Sequence, residues 1–88
     1  MTSYQQQADT LYSHLIDMEE GAEPEKLFLC SYLLGHISLA SAEEGETAEQ
    51  FDQQVEHSLD QAFKVDKLSE QDISYIRSLW KNLTETST

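Results

Sequence analysis

Apolar residues recur at spacings of three and four along four stretches of the chain, and nowhere do they alternate as a half-buried strand requires. The first stretch predicts a helix from about Ser3 to Met18. Tyr4, Ala8, Leu11, Leu15 and Met18 share one seam, while Gln5, Gln6, Asp9 and Ser13 fall off it. Ser3 and Gln6 have the spacing of a capping pair. Glycine at 21 and proline at 24 should end this helix and open the next, because a proline in the first turn gives up an N–H that would be unpaired there anyway.

The second stretch predicts a helix from Pro24 to about Ala42 that is apolar around most of its circumference. Phe28, Tyr32 and Leu39 form one sector, Leu29, Leu33 and Ala40 another, and Cys30, Leu34 and Ile37 a third. Such a helix is expected at the centre, packed on several sides. The remaining strip (Ser31, Gly35, Ser38 and Ala42) is small throughout and would let another backbone come close. Glu43-Glu44-Gly45-Glu46 interrupts the pattern. Thr47 with Gln50 then caps a third helix with a narrow stripe of Phe51, Val55, Leu59, Ala62 and Phe63. Ser69 gives the clearest start signal. Glu70 and Asp72 suit the positive end of a fourth helix dipole, and Leu68 can pack on Ile73 as a staple. Ile73, Ile76, Leu79, Trp80 and Leu83 carry its apolar face, and residues 84–88 are expected to fray. Links of a few residues favour antiparallel neighbours. The expected fold is all-α, a small bundle of four short antiparallel helices in one domain over residues 1–88.

Charge narrows the function. There are 17 acidic and 5 basic residues, for a net charge of −12, and residues 1–60 carry that whole excess, with Lys26 their single lysine. Such a field repels phosphate backbones and anionic membranes, so neither nucleic acid nor a membrane surface is an expected partner. The longest mainly apolar run, residues 27–42, is too interrupted to span a bilayer. The opening residues lack a basic start followed by an apolar stretch, so no secretory signal is expected. The single cysteine, Cys30, cannot form an internal disulfide and fits a reduced, cytoplasmic setting.

No constellation for catalysis or metal binding emerges, and no cofactor is expected. His14 and His57 each have an aspartate three residues on, but neither has the second ligand that helical metal sites use, and both read as exposed helix polars. His36, after Gly35, projects between two apolar sectors. It reads first as a core histidine bonded to a neighbouring side chain or carbonyl, and alternatively as a group at a pocket floor. Cys30 has no nearby cation or helix N-terminus to activate it and reads as packing. Trp80 belongs to a core stripe, whereas Tyr12 and Tyr75 fall nearer the edges of theirs. The glutamates around residues 19–25 and 43–49 lack the alternating ligand spacing of a calcium loop. They read as a solvated face, or as a docking surface for a basic protein if the bundle brings both junctions to one region.

The stretch Tyr32-Leu33-Leu34-Gly35-His36-Ile37-Ser38-Leu39-Ala40, together with Leu68-Ser69 through Asp72 to Trp80-Lys81-Asn82-Leu83, resembles the YfcL-like family of small acidic bacterial proteins. The resemblance extends over most of the chain, with Gly35-His36 its most specific part; the opening half and the acidic junctions match more loosely. It implies an all-helical bundle and brings no established activity, substrate or catalytic residue. The leading expectation is a non-enzymatic protein-interaction module acting through Gly35, His36, Glu43, Glu44 and Glu46. The alternative is a small-molecule-binding domain or unrecognised enzyme with a pocket beside His36.

Overall fold

In the computed structural model, which describes residues 2–86, four helices follow one another: α1 (Ser3–Glu19), α2 (Pro24–Ser41), α3 (Ala48–Val65) and α4 (Glu70–Thr86). Local chemistry explains most of the boundaries. Pro24 opens α2. Gln50 donates its backbone N–H to the Thr47 hydroxyl at 3.2 Å and returns its side-chain oxygen to the Thr47 N–H at 3.3 Å, closing the capping box that starts α3. The Asp72 N–H donates to the Ser69 hydroxyl at 3.1 Å at the start of α4. At α1 the cap is Thr2 rather than Ser3. Thr2 is extended and its hydroxyl accepts from the Gln5 N–H at 3.2 Å, whereas Ser3 is already helical. The stretch expected to fray, residues 84–88, falls partly within α4. Helix α4 continues through Thr86, and the Thr84 hydroxyl donates to the Lys81 carbonyl at 3.0 Å. Residues 87 and 88 lie outside the described residues.

Cross-helix contacts fix the directions. The Tyr4 hydroxyl, at the start of α1, donates to the Ala40 carbonyl near the end of α2 at 2.5 Å, so these helices are antiparallel. The Tyr4 ring also meets Phe51 edge-on at 5.2 Å, and Gln7 donates to Asp52 at 3.0 Å, so α1 and α3 run the same way. Helix α4 closes the bundle against α2 and α1. The core takes Tyr4, Ala8, Leu11 and Leu15 from α1, and Leu29, Cys30, Leu33, Ile37 and Ala40 from α2. Phe51, Val55 and Leu59 come from α3, and Ile76, Leu79, Trp80 and Leu83 from α4. Met18, predicted to end the α1 seam, is exposed.

Helix α2 does touch all three other helices, as its composition predicts, yet it is not surrounded. Leu27, Phe28 and Leu39 remain 40%, 58% and 62% exposed. The small strip is exposed as well: a methyl group added at Gly35 would meet nothing within 4 Å. The expectation of a close backbone contact there is overturned, because three partners fill only the far side of α2 and the strip points away from them.

Candidate functional site

His36 lies on the flank of α2 that faces α3. Its Nδ1 shares a hydrogen bond with the Ser58 hydroxyl at 2.6 Å, and its ring tilts against Tyr32 at 5.0 Å. Tyr32 stacks on Phe63 at 6.2 Å and donates its hydroxyl to Asp66 at 2.8 Å. The Arg77 guanidinium covers the other side of this row, 5.0 Å from the Phe63 ring, and pairs with Asp60 at 3.2 Å. Burial pushes the His36 pKa below its ordinary value, partly opposed by the negative charge of Asp66, so the ring is held neutral. Burial, reinforced by the hydrogen bond and charge of Asp66, lifts Tyr32 to about 12, which leaves its hydroxyl a donor and not a proton shuttle near neutrality.

A serine hydroxyl on a neutral histidine has the composition of a nucleophile–base pair, and catalysis would also need an orienting acid and donors for an oxyanion. Neither is at hand. The Asp66 carboxylate accepts from Tyr32, and both Ser58 and His36 sit inside helices whose backbone N–H groups bond within the helix. Clefts in the surface open away from the His36 ring. One lies between α3 and α4 beside Leu59, Arg77 and Trp80; another surrounds Gly45, lined by Thr2, Tyr4, Glu43 and Glu46. What this group does is join α2 to α3.

The remaining candidates separate from His36. Gly35 points outward, away from the Ser58 bond. Glu43, Glu44 and Glu46 are exposed around Gly45, and among the described residues no cation pairs with them. Helix α2 leaves the two acidic junctions at its opposite ends, about 27 Å apart at the usual rise per residue, so the bundle does not gather them into one region. His57 is exposed and His14 half-buried. Cys30 is buried, and burial, with the charge of Glu19, pushes its thiol pKa up. Among the described residues no three His, Cys, Asp or Glu side chains converge as metal ligands, and no helix is long and apolar enough to cross a membrane.

Two features escaped the sequence reading. Ser58 follows Val55 by three and Phe51 by seven, which puts a polar residue on an apolar stripe, and that spacing was the available signal. The second is the outward face of α2. Leu27, Phe28, Ser31, Gly35, Ser38 and Leu39 all lie on the exposed side and none is charged, in a chain whose net charge is −12.

Fold and surface together define a small acidic all-α bundle with one uncharged, partly apolar helix face. The family model described as YfcL protein matches residues 3–85, and the chain belongs to the YfcL family. "Uncharacterized protein YfcL" of Escherichia coli (strain K12) is 35% identical over 74 residues, spanning 78% of this chain and 80% of that protein. No solved structure gives a significant match.

Proposed function

We propose that this protein is a non-enzymatic interaction module that holds another protein against the outward face of α2, in the cytoplasm of a bacterial cell. The observation that carries the reading is the exposure of Phe28 and Leu39, 58% and 62%, on a helix face without charge. Isolated exposed leucines are ordinary, but two large side chains more than half exposed on one stripe, with Leu27 beside them, form a patch that contact with a partner would dry. The high acidic charge keeps such a surface from self-associating while favouring partners of opposite sign. The Escherichia coli relative supports the bacterial setting, and a buried free thiol suits a reducing compartment.

A small-molecule site beside His36 has less in its favour, since its ring is occupied by Ser58 and Tyr32.

Affinity capture from a bacterial extract, run in parallel with the wild type and with the Phe28→Ser/Leu39→Ser variant, tests the proposal. Both changes are at exposed positions, so circular dichroism and melting should be nearly unaltered. The expected result is a protein retained by the wild type and lost from the variant. Identical capture by both forms would remove the α2 face from the function.

A further inference from the structure

We infer that the segment docking on α2 is a single amphipathic helix, apolar along its middle and basic at both ends. This deepens the preceding proposal and rests on it. Phe28 and Leu39 are eleven residues apart, three helical turns, which aligns them on one stripe about 16 Å apart. Between them the surface is floored by Ser31, Gly35 and Ser38, small enough for a partner backbone to approach between two large anchors. An anchor at each end of a straight, narrow floor fits a rod that lies along α2.

Charge selects which rod. At the start of α2, Glu20, Glu23 and Glu25 are exposed, and the nearby Lys26 is drawn over the Tyr75 ring at 5.7 Å. At its end stand Glu43, Glu44 and Glu46. Helix α2 has no basic residue in its last turn, so its own negative dipole end adds to theirs. The face is therefore neutral in the middle and negative at both ends. A second copy of this chain is the wrong occupant. Laid antiparallel it would set Glu43 and Glu44 against Glu23 and Glu25, and laid parallel it would set each cluster against itself. A helix with lysines or arginines near both termini satisfies both ends at once.

The test uses the full chain, isotopically labelled, and two synthetic peptides of about 18 residues, the length of α2. Both have the same alanine–leucine amphipathic middle; one ends in lysines on each side, the other in glutamates. The lysine-ended peptide should shift amide resonances across residues 27–42. Its binding should weaken about tenfold between ~0.05 and ~0.3 M salt, as expected where charge steers association. It should also bind at least about tenfold more weakly to Phe28→Ser/Leu39→Ser and to Gly35→Gln, which stays folded but fills the floor. No binding, equal binding of both peptides, or shifts confined to other surfaces would each overturn the inference. So would a sedimentation result in which the wild type dimerises and Phe28→Ser/Leu39→Ser does not. Because extract capture is read separately, a partner that still depends on Phe28 and Leu39 would leave the interaction reading standing while this helix is rejected.

Discussion

Gly35 and Gly45 should respond oppositely to an added methyl group. Gly35 sits mid-helix with open space where a Cβ would go, so Gly35→Ala should stabilise by roughly 0.5–1 kcal/mol through reduced chain entropy. A Cβ at Gly45 would run into the buried Tyr4 ring, which cannot retreat without breaking its packing on Phe51, so Gly45→Ala should destabilise by about 1–3 kcal/mol. Urea melts of the two variants read both signs. His36 carries a pH signature. Because folding lowers its pKa, the unfolded chain binds the proton more readily, so the neutral ring's stabilisation is present above about pH 6.5 and declines as pH falls through that value toward the folded one. His36→Asn keeps a partner for Ser58 but does not titrate. The wild type should therefore lose stability relative to His36→Asn between about pH 8 and pH 5.5, and a constant difference would show that the ring titrates alike in both states.

At the scale of helices, capping and packing divide the work differently. Thr47 and Gln50 were legible as a capping box because both partners lie three residues apart and the bond is local. Thr47→Ala should cost about 1 kcal/mol, seen as a lower denaturation midpoint with unchanged slope. Helix α3 was equally legible, since its stripe is narrow and its polar face broad. Helix α2 was legible as a helix but not in its orientation. Three apolar sectors and a strip of small residues offer several faces for burial, and Leu29, Leu33 and Ile37 went inward while Phe28 and Leu39 stayed out. Periodicity counts apolar positions without counting neighbours, and only three helices were available to cover this one.

Across the whole molecule the charge of −12 acts as self-repulsion, concentrated in residues 1–60. Moderate salt should raise the melting temperature of the isolated protein, and Glu43→Gln/Glu44→Gln/Glu46→Gln should raise it at low salt with a smaller gain at high salt. Scanning calorimetry at two ionic strengths checks both, and a salt-independent melt would show the acids too far apart to matter. Composition, four helical periods and short links were enough to specify an all-α bundle, the caps of α3 and α4 and nearly all the core, because these depend on near neighbours along one helix. Long-range placement was decided only by tertiary packing: Ser58 under His36, Asp66 on Tyr32, and the Tyr4 ring over Gly45. The physical reason is that a residue's face is fixed by its own helix, whereas its partner is fixed by how the helices share a core too small to surround any one of them.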